Sequence, residues 1–174
     1  ALAHGVTGFT HLFNAMSPMT SREPGVVGAA LDHADSWCGL IVDGHHVHPV
    51  TLRQAIKAKL RGKMMLVTDA MHTVGEGAGR FDLMGRAIVS ENGKVTTLDG
   101  TLAGSDLDMA SAVRNTVQQV GLGLEEALRM ASLYPAQFLK LDHKIGRIAK
   151  GFQADLVLID DHMVVQQTWI KGQP

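Results

Sequence analysis

The chain has 174 residues, of which 45% are hydrophobic, 19% charged and 19 glycine. That length suits one domain with a core to bury, and it is short for a closed eight-stranded β/α barrel, which takes about 250 residues. Lys and Arg (16) nearly cancel Asp and Glu (17), leaving a formal charge of −1. This excludes a nucleic-acid or anionic-membrane surface built on bulk charge, and the composition excludes a coiled coil or a disordered tail. The single cysteine, Cys38, permits no internal disulfide; its apolar surroundings predict a buried structural thiol and fit a reducing, cytoplasmic setting. No apolar run approaches the ~18 residues of a membrane span, and no signal-peptide pattern is present.

Three apolar runs without alternation come first, and each predicts a strand buried on both faces. Residues 5–10 lead to His11 and then Leu12-Phe13-Asn14-Ala15. A helix is expected over 26–34, and a second strand over 37–42 ends at Asp43-Gly44-His45-His46. Pro49 then opens a helix running to Leu60, with Leu52, Ile56 and Leu60 along one face. The third strand, 63–68, ends at Asp69. The strand ends lie 32 residues apart from His11 to Asp43 and 26 from Asp43 to Asp69, the spacing of β/α units. Such units carry their active sites at the C-terminal ends of the strands, where these His and Asp residues fall.

Beyond residue 80 the pattern changes. Residues 86–90 and 94–98 flank Glu91-Asn92-Gly93, and Asn-Gly signals a hairpin. Gly100-Thr101-Leu102-Ala103-Gly104 leads to Ser105, which reads as the N-cap of a helix reaching about residue 120, with Asp108 at the third following position. Another helix is expected over 124–133, stopped near Pro135. Strands return at 154–159 and 163–170.

The chemistry gathers at the strand ends. A neutral imidazole at His11 offers a lone pair on a rigid element, suited to a metal ion, although a lone His is more often structural. Arg22, in the turn Ser21-Arg22-Glu23-Pro24-Gly25, suits a bidentate clamp on a phosphate or carboxylate; an ion pair with Glu23 is the plainer reading. His46 is read as a substrate-contacting imidazole, while His45 and His48 read as loop residues. Asp69 suits proton transfer to a leaving amine, and in isolation it would read as an N-cap. The Gly-rich 100–105 stretch before a helix suits backbone N–H contacts to a ligand oxygen, a weak signal alone.

In order and with their gaps, T-H-L-F-N-A-M, S-R-E-P-G, D-G-H-H-V, L-V-T-D-A and G-T-L-A-G-S resemble the N-acetylglucosamine-6-phosphate deacetylases of the amidohydrolase superfamily. The likeness extends through Leu133-Tyr134-Pro135-Ala136 and Gly146-Arg147-Ile148-Ala149-Lys150-Gly151. The resemblance implies an α/β fold: the C-terminal portion of a metal-dependent hydrolase (β/α)8 barrel, plus strands of a small β-sandwich domain. Residues 1–145 would hold the last three barrel strands, with a hairpin insertion near 85–98, and 146–174 would return to the sandwich.

The activity implied is hydrolysis of the acetamido group of N-acetyl-D-glucosamine 6-phosphate to glucosamine 6-phosphate and acetate, in amino-sugar catabolism. The resemblance assigns His11 to the metal and Asp69 to general base and acid catalysis. It assigns Asn14, Ala15 and Arg22 to the sugar phosphate, Asp43, Gly44, His45 and His46 to the substrate, and Leu102, Ala103, Gly104 and Ser105 to the acetamido end. It implies a divalent cation, zinc first, with iron, cobalt or manganese as alternatives. It also implies a phosphosugar ligand and a homodimer of the full-length protein, with no nucleic-acid or membrane partner. The family's glutamate and second histidine ligands lie on earlier strands, so the chain reads as a little under half of such an enzyme, holding one of its metal ligands. His4, in an expected helix, does not replace them. Two alternatives stand beside this reading: an amidohydrolase of another amide, and a non-catalytic fragment that aggregates in isolation through its open sheet edges.

Overall fold

A computed structural model describes all 174 residues. After one 3₁₀ turn at Leu2–His4, three parallel strands form the first sheet in chain order: β1 (Gly8–Phe9), β2 (Trp37–Leu40) and β3 (Met64–Leu66). Phe9 pairs with Cys38, and Leu40 with Leu66. Cys38, Leu40, Met64 and Leu66 are all buried, as strands covered on both faces require. The Cys38 thiol points at the Ala30 carbonyl at 3.7 Å, and burial pushes its pKa up against the opposing pull of Lys59, so it is the structural thiol expected.

Helices α1 (Gly25–Asp32) and α2 (Pro49–Ala58) are the crossovers between these strands. Pro49 sits in the first turn of α2, where its missing N–H would lack a helical partner anyway, and His48 caps that turn by accepting the Val50 N–H at 3.2 Å. The two helices are tied by Lys59, only 4% exposed. Its ammonium donates to the carbonyls of Ala30 (2.6 Å) and His33 (2.5 Å), at the end of α1, and to Ser36 Oγ (3.0 Å). Burial lowers its pKa, while the helix C-terminus supplies the negative potential that accommodates the charge.

The second sheet is antiparallel: β4 (Gly79–Leu83), β5 (Arg86–Glu91), β6 (Lys94–Thr97) and β7 (Leu102–Ser105). Asn92 and Gly93 have φ of 52° and 76°, the pair of positive values that a two-residue type I′ hairpin needs. The hairpin expected near 85–98 is therefore the centre of a larger sheet. Two expectations fail next to it. The Gly-rich stretch does not lead directly into a helix, because Leu102–Ser105 is a strand paired with β6. Nor does Ser105 cap the following helix, since its N–H and hydroxyl are already bonded to the carbonyls of Asp69 (2.8 Å) and Thr68 (2.5 Å). Asp108 caps α3 (Met109–Asn115) instead, accepting the Ser111 N–H at 2.9 Å.

Helix α3 continues into a π-helical turn, Thr116–Val120, where the Thr116 hydroxyl donates to the Ala112 carbonyl at 2.8 Å. Helix α4 (Leu124–Ala131) is followed directly by α5 (Leu133–Phe138). Helix α4 ends ahead of Pro135, as expected, but a new helix begins at once: Pro135 lies in the first turn of α5, where a missing N–H is harmless. The chain ends in the hairpin β8 (Leu156–Ile159) and β9 (Val165–Trp169), a separate sheet with Val157, Leu158 and Val165 exposed.

The fold is α/β. Its main core joins Leu40, Ile41 and Val42 of the first sheet and its exit to Leu52 of α2, Ala112 of α3, and Ala127 and Met130 of α4. Three parallel strands do not close a barrel by themselves. No helix is long and apolar enough to cross a membrane.

Candidate functional site

The register of the first sheet sets the site. Leu40 and Leu66 are paired, so Asp43 and Asp69, each three residues further on, emerge from adjacent strands at the same end. His11 belongs to the same end, because the next residue, Leu12, donates its N–H to the Gly39 carbonyl at 2.8 Å. Sequence reasoning placed all three at strand ends, and the structure gathers them along one rim.

Each rim segment is locally bent. His11, Phe13 and Ala15 have φ of 34°, 81° and 54°, and Asp69 has φ of 53°. Non-glycine residues seldom adopt positive φ, and such strain persists only where surrounding bonds enforce it. In the first segment the brace is Asn14, whose Nδ2 donates to the carbonyls of His11 (3.2 Å) and Leu12 (3.3 Å). His11 Nδ1 is buried and has no hydrogen-bond partner. At Asp69 the brace is β7. Ser105 N–H donates to the Asp69 carbonyl, Met71 N–H returns to the Ser105 carbonyl at 2.8 Å, and the Ser105 hydroxyl accepts the Leu107 N–H at 3.1 Å. Ser105 is 1% exposed with its hydroxyl engaged on both sides, so it forms a bracket under Asp69. Gly104 (φ 90°) permits this approach, since a Cβ there would lie 2.7 Å from Met71 Cγ and 3.1 Å from the Asp69 carbonyl oxygen. Leu102 and Ala103 remain half-buried beside it, and the Asp69 side chain stays exposed.

The middle segment holds a tight hydrogen-bonded pair. Asp43 Oδ2 lies 2.6 Å from His46 Nδ1, and both side chains are 4% exposed. Asp43 Oδ1 accepts the backbone N–H groups of His45 and His46, each at 2.9 Å. Burial pushes the Asp43 pKa up, but the bonds from the His46 ring and from the two N–H groups outweigh it and hold the carboxyl at about 2. The sequence reading took Asp43 for a substrate contact and missed this partnership. The signal was present as Asp-Gly-His-His, an Asx turn that brings the fourth residue back onto the first. Gly44, at φ 82°, makes the turn, and His45 lies exposed beside the Gly93 hairpin tip.

Arg22 is exposed and makes no hydrogen bond or ion pair; the expected partner Glu23 instead accepts the Gly25 N–H at 3.2 Å. It crowns a turn closed by Thr20 N–H to the Glu23 carbonyl at 2.8 Å.

The amidohydrolase family model matches residues 1–174. The chain belongs to the amidohydrolase family. It is 46% identical over 173 residues to the N-acetylgalactosamine-6-phosphate deacetylase of Shewanella sp. (strain ANA-3), an alignment covering 99% of this chain and 44% of that protein. The crystal structure of N-acetylglucosamine-6-phosphate deacetylase from Pasteurella multocida matches with a TM-score of 0.95 and 39% identity, over 99% of this chain and 45% of the other. The Mycobacterium smegmatis N-acetyl-D-glucosamine-6-phosphate deacetylase, solved as an aspartate-to-alanine mutant in complex with N-acetyl-D-glucosamine-6-phosphate, matches with a TM-score of 0.92 and 33% identity, over 99% and 46%. The chain thus spans slightly under half the length of these relatives.

Amidohydrolases are generally dependent on a divalent metal. In this amidohydrolase the partnerless Nδ1 of His11 fits a metal ligand by type, but no three His, Cys, Asp or Glu side chains converge as a metal site requires. The residues of this chain do not fit a complete metal centre.

Proposed function

We propose that this amidohydrolase chain forms one side of an enzyme that hydrolyses the acetamido group of N-acetyl-D-glucosamine 6-phosphate, yielding glucosamine 6-phosphate and acetate. The observation that carries the reading is the shared rim, where successive β/α units end in His11, the Asp43–His46 pair and Asp69. In this proposal the three parallel strands are the last of a (β/α)8 barrel, and β8 and β9 belong to a small β-sandwich domain.

Amide hydrolysis needs a proton acceptor for water, a group that steadies the carbonyl oxygen and a proton donor for the amine. Asp69, exposed at the rim and unpaired, is suited to accept the proton and return it to the amine. His46 is suited to meet the acetamido carbonyl or orient the sugar. The Asn14–Ala15 turn and Arg22 are suited to the phosphate, with Arg22 offering a guanidinium that no protein group neutralises. Leu102, Ala103 and Gly104 would lie beside the acetyl group. His11 would contribute one ligand to a divalent cation, zinc first, whose remaining ligands come from outside this chain.

A second reading keeps the reaction and changes the sugar to N-acetylgalactosamine 6-phosphate, because the 46%-identical Shewanella protein carries that name. Acetate release from the two 6-phosphates and from unphosphorylated N-acetylglucosamine separates these readings. Asp69→Asn in the full-length enzyme is expected to lower turnover about 10²–10⁴-fold. Unchanged turnover would end the proposal.

A further inference from the structure

We infer that Asp43 is a positioning residue: it holds His46 with the Nδ1 proton turned inward, leaving Nε2 as the one ring nitrogen open to a ligand. The inference rests on His46 as the substrate-facing imidazole and gives that group a defined proton address. The geometry leaves little freedom. Oδ1 already accepts two backbone N–H groups at 2.9 Å, and Oδ2 is 2.6 Å from Nδ1. An ionised carboxylate only accepts hydrogen bonds, so the short contact requires the proton on Nδ1. With both side chains 4% exposed, water does not compete for the Oδ2–Nδ1 contact. The turn through Gly44 fixes the carboxylate, the carboxylate fixes the ring, and the next residue, Val47, is buried in the core. A neutral His46 then presents a lone pair at Nε2, and a protonated one presents an N–H there.

The carboxylate is also largely used within the loop. Three hydrogen bonds occupy its two oxygens, which offer about four lone-pair positions, and at 4% exposure the side chain presents little to a sugar hydroxyl. Its contribution to substrate binding is therefore exerted through His46.

Asparagine at this position makes an opposite prediction at the same shape. In Asp43→Asn the amide oxygen must take the Oδ1 place, because the N–H groups of His45 and His46 need an acceptor. The amide NH2 then faces Nδ1 and donates to it, which moves the imidazole proton to Nε2. Long-range 1H–15N correlation spectra of the uniformly labelled protein distinguish the two tautomers, and His46→Gln identifies the His46 signals among the nine histidines. The expected result is an Nδ1–H tautomer for neutral His46 in the wild type, with the two nitrogens exchanging their protonated and unprotonated shifts in Asp43→Asn. An Nε2–H tautomer in the wild type overturns the inference even if the variant does not fold. An unaltered tautomer in a folded Asp43→Asn protein overturns it too. The spectra need no substrate, so this outcome is independent of acetate release, and loss of the deacetylase reading would leave the tautomer assignment standing.

Discussion

The Asp43–His46 pair makes a quantitative prediction about acid stability. Its carboxyl falls from an ordinary 3.8 to about 2 in the folded protein. A depressed carboxylate pKa adds stability that is complete above the unfolded value and is lost as pH falls through the folded one. The difference is worth about 2 kcal/mol at neutral pH, and about half of that survives at pH 3, midway through the loss. Because the side chain is 4% exposed, solvent screening takes little from this figure. Asp43→Asn keeps the acceptor for the two N–H groups and removes the ionised form. Its deficit against the wild type is therefore expected to be about 2 kcal/mol at pH 7 and about 1 kcal/mol at pH 3. Urea unfolding of both proteins, followed by tryptophan fluorescence at several pH values, measures the gap; contributions from all other acidic groups cancel in the difference. A deficit that is the same at pH 7 and pH 3 would refute the assignment of the depressed pKa to this pair.

Three further substitutions probe the frame around the site. Gly104→Ala meets Met71 Cγ at 2.7 Å and the Asp69 carbonyl at 3.1 Å in a left-handed conformation, so a loss of about 1–3 kcal/mol is expected; an unchanged urea midpoint contradicts it. Lys59→Met strips the ammonium from two helix-end carbonyls and Ser36, and a net loss of about 1–3 kcal/mol is expected after relief of the buried charge. A raised melting temperature would mean that desolvation outweighs the three bonds. Arg22→Ala, at an exposed side chain without partners, is expected to change stability by no more than about 0.5 kcal/mol. In the full-length enzyme the same change is expected to raise KM for the 6-phosphate about tenfold or more, and an equal KM removes Arg22 from the phosphate site.

The features legible in the residues are those with local causes. Pro49 starts α2 because a fixed φ and an absent N–H suit a first turn wherever it lies. Asn92-Gly93 makes its hairpin because its neighbours are β-formers and both residues tolerate positive φ. Ser105 was misjudged for the opposite reason. Ser105 and Asp108 are both competent N-caps, and the choice between them depends on Thr68 and Asp69, more than thirty residues earlier. Pro135 marked the end of α4 but hid the start of α5, because a proline that cannot continue one helix can begin another immediately. Lys59 gave no sign of burial, since its three acceptors belong to a different helix and its exit.

The order of strand, polar rim and helix follows from the sequence alone, since side-chain volume, chain stiffness and turn chemistry act within a few residues. The strand ends of the candidate site were therefore visible as Thr10-His11, Asp43-Gly44 and Thr68-Asp69. What only the tertiary structure decided is how those ends are held. Register placed Asp43 and Asp69 side by side, β7 locked the strained backbone at Asp69, and closure of the Asp43 turn in a buried site gave His46 its inward proton. Those outcomes depend on hydrogen bonds whose partners become neighbours only after the chain has folded, and on burial that makes an unpaired carboxylate or carbonyl too costly to leave.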